Sequence, residues 1–328
     1  MTKSHRTLGT NGPQVFPLAL GCMGMSGMYG PSDDAESERT IAMAVERGVS
    51  LLDTGDFYGM GHNEMLIGRA IRGRRERVQL SVKFGALRSP DGGWTGVDGR
   101  PQAVKNFAAY SLKRLGVEVI DVYRPARLDP NVPIEETMGA VAELIKAGYV
   151  KHAGLSEVGV ETIRRAHAVC PVVDLQIEYS LASRAPETRI FPALGELGIG
   201  ATLYGVLSRG LFGGSRPKGP GDFRAYLPRF AGGNRSHNDG VVGKLAEQAR
   251  RRNMTPGQLA IAWTLAKQPS FVPVIGARTV AQLEDALAAL EKPLSDADVR
   301  ELEALVPSGA VAGERYAPEH MRNLDSER

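Results

Sequence analysis

Apolar positions in this 328-residue chain switch repeatedly between a helical spacing and short, nearly continuous runs. Val104, Phe107, Ala108, Ser111, Leu112 and Leu115 share one face of a 3.6-residue repeat, and Gly116 ends it. The run Val119 to Tyr123 then reads as a buried strand. Ile134, Met138, Val141 and Ile145 restore the helical spacing, Gly148 follows as the cap, and Lys151 to Ser156 holds the next strand. Val173 to Ile177 alternates apolar and polar, as expected of a strand with helices on one side and a barrel interior on the other. Nearer the N-terminus, Asp33 and Asp34 precede a helix carrying Ile41, Ala44 and Val45 and ending at Gly48. The strand Ser50 to Asp53, a helix near residues 63 to 71 and the strand Val78 to Lys83 come next. Toward the end, Val280, Leu283, Leu287 and Leu290 form another stripe, and Ser295 to Asp298 reads as a capping box before Val299, Leu302 and Val306.

Strand followed by helix, repeated, predicts an α/β fold with a parallel sheet. Strands near residues 18, 50, 78, 119, 150, 173, 200 and 271 make the number that closes a (β/α)8 TIM barrel. A doubly wound sheet is the rival, but no Gly-x-Gly-x-x-Gly stands at any strand-to-helix turn. Residues 1–328 are therefore expected to form a single barrel domain. From about Gly205 to Asn238 the chain is rich in Gly, Arg, Pro and Asn and is far longer than an ordinary loop. It is expected to be a lid at the catalytic face; the plainer alternative is a floppy insertion.

Composition narrows the functional classes. A chain with 42% hydrophobic and 23% charged residues is of ordinary globular type, and a barrel of this size needs no disulfide or metal staple. Cys22 and Cys170 belong to no Cys-x-x-Cys or Cys/His cluster, so no metal site is expected, and they suit a reducing compartment. A net charge of +3 without a basic stripe gives no reason to expect nucleic acid as a partner. The densest basic run, Arg72 to Arg77, reads as a solvated helix end, where cations oppose the helix dipole. Met1 to Arg6 is polar and no uncharged apolar run could span a bilayer, so the expectation is a cytoplasmic protein without membrane contact.

Candidate chemistry gathers at two neighbouring strand ends. Asp53 closes one predicted strand, Tyr58 follows it, and Lys83 ends the next, which in a barrel aims all three at one mouth. A free phenol titrates near ~10 and gives up its proton poorly at neutral pH. An ammonium within about 4–6 Å is expected to lower that value by roughly 1–3 units. Aspartate beside the lysine would keep it charged and oriented, so the trio would serve as a general acid for a carbonyl oxygen receiving a hydride. Taken singly, Tyr58 would be a loop aromatic and Asp53–Lys83 an interior ion pair; their convergence favours a site.

Leu20 to Gly24, Asp53-Thr54-Gly55 through Tyr58-Gly59, and Asn63 to Gly68 resemble the aldo-keto reductase superfamily. So do Ser111 to Gly116 with Ile120 to Tyr123, Gly154-Leu155-Ser156, Gln176 to Ser180 and Ile275 to Thr279, in the expected order over nearly the whole chain. The resemblance implies an N-terminal β-hairpin, about Arg6 to Pro17, closing the barrel bottom. It implies NADPH (or NADP⁺) lying extended at the C-terminal mouth and a small-molecule carbonyl substrate. It also implies a catalytic tetrad whose first three members match Asp53, Tyr58 and Lys83. Ser156 and Gln176, with Glu157 beside them, would hold the nicotinamide carboxamide, and Tyr204 would stack on the ring. Gly21, Cys22 and Met23 would line the same end together with Asp53. Gly205, Val206, Leu207, Ser208, Arg209 and Gly210 would follow the pyrophosphate with their N–H groups. Gly276, Arg278, Thr279 and Gln282 would bind the 2′-phosphate at a helix start, and Asp285 would lie near adenine, where Ala286 replaces the usual asparagine.

The fourth tetrad member is a histidine, and this chain has Ala126 there, within Arg124-Pro125-Ala126-Arg127. Loss of a positioned donor typically costs roughly 10²–10⁴-fold in rate. Three readings stand: turnover confined to reactive carbonyls, a larger substrate in the freed space, or Arg124 or a water acting instead. His62 and His152 lie nearest the mouth and read as structural. Reduction of an aldehyde or ketone is the leading function. A cofactor-binding sensor or regulatory protein with little turnover is the close rival, and an aldolase using Lys83 is a third class. Substrate recognition is expected from Met25 to Pro31, from Gly85 to Gly99 with Trp94, and from the C-terminal tail.

Overall fold

Eight parallel strands pair in chain order and close on themselves. They are β1 (Ala19–Gly21), β2 (Leu51–Gly55), β3 (Gln79–Phe84), β4 (Ile120–Pro125), β5 (Val150–Ser156), β6 (Val172–Glu178), β7 (Gly200–Tyr204) and β8 (Val272–Gly276). This computed structural model describes residues 5–217, 219 and 221–328. Met1 to Ser4, in the polar N-terminal segment, and Lys218 and Pro220, in the expected lid, lie outside the described residues.

The helices form where the apolar stripes place them. Helix α1 (Asp34–Glu46) starts at Asp33, whose carboxylate accepts the Glu36 N–H at 2.7 Å. After α2 (His62–Ala70), α3 (Pro101–Leu115) opens with proline in its first turn and ends at Gly116, whose φ of 65° a side chain would resist. The outer ring continues with α4 (Ile134–Lys146), α5 (Val160–Val169), α6 (Ile190–Leu197), α7 (Gly232–Arg251), α8 (Pro256–Lys267), α9 (Val280–Ala288) and α10 (Asp296–Leu305). The capping box expected at Ser295 and Asp298 is present. The main apolar core fills the layer between strands and helices. A second cluster, with Leu8 and Val15 of the N-terminal hairpin (Arg6–Thr7 with Gln14–Val15) against Leu51, Val272 and Val274, plugs the barrel bottom.

Every residue of β6 is buried, with Asp174 and Gln176 facing a packed barrel interior and Leu175 and Ile177 in the apolar layer under the helices, as the alternation predicts. Two expectations change. The long connection after β7 ends earlier than Asn238, because Gly232 to Asn238 already form the first turns of α7. The Arg72 to Arg77 run is not wholly solvated: Arg75 reaches under the barrel to Asp121 at 2.7 Å and to the Val78 and Val119 carbonyls.

The β7 loop does reach the mouth. It pairs with the β1 loop through a bridge between Tyr29 and Asp222, a Phe223 N–H to Met28 carbonyl bond, and rings of Tyr29 and Phe223 5.3 Å apart. Since β7 and β1 flank β8, this joins the two loops across the β8 end. Among the described residues no helix is long and apolar enough to cross a membrane.

Candidate active site

The C-terminal ends of the strands surround a cavity of about 690 Å³, within the usual range for small-molecule sites. Asp53, Lys83 and Tyr58 meet at its floor. Register sets Gly55 of β2 beside Lys83 of β3, and the Lys83 ammonium donates to Asp53 Oδ1 at 2.5 Å. Asp53 Oδ2 accepts from Ser81 Oγ at 3.0 Å and from Gln176 Nε2 at 2.7 Å, tying β2, β3 and β6 together. Tyr58 begins a turn in which Gly59, Met60 and Gly61 all take positive φ. A Cβ at Gly59 would lie 2.9 Å from the Ser26 side chain, and one at Gly61 would lie 2.7 Å from Arg114, so glycine at both positions sets where Tyr58 points.

The Lys83 ammonium stands 5.2 Å from the centre of the Tyr58 ring, over its face. Burial, with Asp53, Tyr29 and Tyr316 adding to it, pushes the phenol well above its ordinary range, against the pull of Arg127. The expected acidification of Tyr58 by lysine is therefore not what this environment produces, because desolvation of a phenolate outweighs the neighbouring cations. Burial also pulls the Lys83 ammonium below the usual lysine range, against the opposing pull of Asp53.

The remaining candidates divide. Gly21, Met23, Ser156, Gln176, Tyr204, Gly205, Arg209 and Gly276 line the cavity. Ser156 Oγ is buried with no hydrogen-bond partner beside Gln176, an orphaned hydroxyl at the wall. Cys22 does not line it; its thiol packs into the core, and burial pushes it far up. Glu157 is also turned away. Both its oxygens are taken by Arg315 at 2.7 and 2.8 Å, with Ser326 at 2.6 Å, the Glu178 N–H at 2.9 Å and the Tyr204 hydroxyl at 2.7 Å. Burial would raise that carboxyl, but Arg315, Arg127 and Ser326 outweigh it and hold Glu157 far below the usual range.

In the β7 loop, Val206 and Leu207 belong to the core, and the N–H groups of Ser208 and Gly210 bond to the Gly205 and Leu207 carbonyls. The Ser208 and Gly210 N–H groups are therefore not the open track expected of them, while Gly205 and Arg209 face the cavity. At the start of α9, Thr279 caps the helix and the Arg278 N–H donates to Gln282 Oε1 at 2.9 Å. The Arg278 guanidinium donates from Nη1 to the Tyr29 and Pro31 carbonyls at 3.1 and 3.3 Å, anchoring the β1 loop. Asp285 accepts from Gln258 Nε2 at 2.7 Å and from Thr255, holding the start of α8.

Ala126, 1% exposed, lines the cavity where the resemblance expects histidine. Arg124 cannot replace it. It is fully buried inside the barrel, bonded to Asp174 at 2.6 Å and to Ser81 at 2.9 Å. Sequence reading passed over its neighbour Arg127, which does line the cavity, as do Arg88 and Tyr316. The two histidines flagged earlier hold structural positions or lie off the cavity: His62 bonds Ser26 and Asp34.

Residues 17–307 match the model of the aldo/keto reductase family. A protein named probable aldo-keto reductase 1 of Glycine max is 40% identical over 317 residues, covering 94% of this chain and 90% of that protein. The NADP(+) aldo-keto reductase yakc of Schizosaccharomyces pombe is 38% identical over 314 residues, covering 93% and 92%. Among solved structures, a glycerol dehydrogenase of Gluconobacter oxydans superposes with a TM-score of 0.84 at 24% identity over 97% of this chain and 99% of its own, a likeness of fold. The holo form of an aldo-keto reductase of Bacillus halodurans gives 0.78 at 26% identity over 97% and 99%.

Proposed function

This chain belongs to the aldo/keto reductase family of NADP(H)-dependent oxidoreductases, and from that premise we propose that it reduces an aldehyde or ketone to the alcohol, with Tyr58 giving the proton. The observation that carries the reading is the meeting of Tyr58, Lys83 and Asp53 at the floor of a cavity large enough for a cofactor end and a small substrate. The residues present fit the cofactor. The unpartnered Ser156 hydroxyl beside Gln176 suits an amide group, and the Gly276 backbone leaves an open edge, since a Cβ there would meet nothing nearer than 3.9 Å. Tyr204 supplies an aromatic wall, and Arg278 a cation at a helix start for phosphate.

When bound, NADPH supplies the hydride to the carbonyl carbon. The carbonyl π pair moves to oxygen, and the nascent alkoxide takes the Tyr58 proton. A phenol pushed upward still performs this step, because an alkoxide is a stronger base than a phenolate and the proton is present on Tyr58 throughout the neutral range. Lys83 then stands over the ring as a countercharge to the phenolate, which water reprotonates. Asp53 fixes the ammonium in place.

Ala126 favours the rival reading, a cofactor-binding regulatory protein with little turnover. Single-turnover mixing of the NADPH complex with a reactive aromatic aldehyde separates the two: loss of nicotinamide absorbance in one catalytic phase is expected, and bound but unoxidised NADPH would favour the regulator.

A further inference from the structure

The buried arginines around the barrel mouth are ion-paired, whereas two half-buried ones on one side of the cavity, Arg127 and Arg88, are not. Arg124 meets Asp174 at 2.6 Å, Arg209 meets Glu178 at 3.1 Å, Arg224 meets Asp222 at 2.6 Å and Arg315 meets Glu157 at 2.7 Å. Arg127 meets no carboxylate within 4.0 Å among the described residues. Its guanidinium donates to its neighbour's carbonyl, Ala126 O, at 2.6 Å and to the Tyr316 hydroxyl at 3.3 Å. The field of Glu157 reaches it, but both oxygens of Glu157 are occupied by Arg315. Arg88 is likewise without a carboxylate; it lies 5.7 Å from the ring centres of both Phe57 and Trp94 and donates to the Gly92 carbonyl.

Drawing a guanidinium even partly out of water without a carboxylate partner is unfavourable, and a ligand carboxylate would complete the pair. Charge along the cavity points the same way. Lys83 is neutralised by Asp53 and Arg209 by Glu178, so Arg88 and Arg127 remain, opposed only by Glu319, which is exposed at the rim. Topology separates these two cations from the phosphates of the cofactor. Arg88 follows β3 and Arg127 follows β4, whereas the candidate phosphate contacts follow β7 and β8, across the barrel. Ala126 ends in a methyl group, leaving room in the cavity that Tyr58 also lines for a substituent on the carbonyl carbon.

We propose that the substrate is a carbonyl compound carrying a carboxylate, held by Arg127 with Arg88 at the outer end, its aromatic or aliphatic body lying against Phe57 and Trp94. The inference rests on the carbonyl-reducing reading and deepens it. Arg127 then does what the missing histidine cannot: it fixes the carbonyl against Tyr58 by gripping the group next to it. Its field also favours the Tyr58 phenolate that proton transfer leaves behind.

The test compares 4-carboxybenzaldehyde with methyl 4-formylbenzoate, a pair matched in shape and differing in charge. With NADPH, the acid is expected to have a kcat/KM roughly tenfold to hundredfold above the ester, the range of a charge-assisted hydrogen bond, carried mostly by KM and weakened by added salt. Arg127→Met should bring that ratio toward about one, and Arg127→Lys should restore part of it, with NADPH binding by fluorescence checking that each variant is folded. Equal or better use of the ester by the unaltered protein overturns the inference while leaving the reductase reading in place. Failure of a NADPH-binding protein to reduce either aldehyde overturns that reading and the inference with it.

Discussion

Asp56 and Tyr58 lie two residues apart on one loop, and burial raises the proton affinity of both, with different consequences. For Tyr58 the effect keeps the proton on the phenol at the cavity. For Asp56 it is a stability cost at neutral pH: burial, with Glu64 adding repulsion, pushes the carboxyl up to about 7, and Oδ1 has no hydrogen-bond partner. The native state thus holds the Asp56 proton more tightly than the unfolded chain. Its contribution to stability is whole below the unfolded value near ~4 and is lost as pH rises through about 7. Asp56→Asn removes the titration. Relative to the unaltered protein, the variant should gain about 1–3 kcal/mol between pH 5 and pH 8.5, read from urea midpoints at both pH values. No difference between the two pH values would remove this account of Asp56. At Ala126 the residue scale is decided by what is missing, and Arg127 beside it inherits the carbonyl's surroundings.

At the scale of elements, the mouth is assembled by contacts between loops. Arg278 stands just before α9 and clamps the β1 loop through the Tyr29 and Pro31 carbonyls, with Nε and Nη2 unbonded among the described residues. Arg278→Ala should weaken NADPH by roughly 10–100-fold, the value of charge-assisted bonds, with a smaller loss for NADH. Equal losses would reassign Arg278 to the loop alone. The C-terminal segment is held by buried charge: Arg315 bridges Glu157 and Glu327, Ser326 donates to Glu157, and the Gly159 N–H donates to Asp325 at 2.8 Å. Tyr316, Ala317 and Leu324 of this segment wall the cavity. Arg315→Met leaves Glu157 buried and uncompensated, so a loss of about 3–5 kcal/mol is expected in chemical denaturation. The same variant should show faster proteolysis near residues 314–328. Unchanged stability and cleavage would mean that the tail is held by its apolar contacts instead.

For the molecule as a whole, the sequence carried the barrel because its signals are local. Asp33, Gly116 and the Ser295–Asp298 box cap helices within a few residues of themselves, and the runs between them have room only for strands. Asp53 and Lys83 were legible for the same reason, since barrel geometry aims successive strand ends at one mouth. Glu157 was not. Its partner Arg315 lies 158 positions away, and nothing local distinguishes a carboxylate facing a cofactor from one locked to the tail. Nor does spacing reveal that Arg124 points into the barrel interior while Arg127 faces the cavity. The direction of the Tyr58 shift depends on burial, which only the assembled mouth supplies. The claim on which the account turns is that the phenol of Tyr58 protonates the carbonyl, and Tyr58→Phe measures it. A fall in kcat of at least roughly 10²-fold is expected, with NADPH affinity by fluorescence titration unchanged within about threefold. Turnover near that of the unaltered protein, with the cofactor equally well bound, would contradict it.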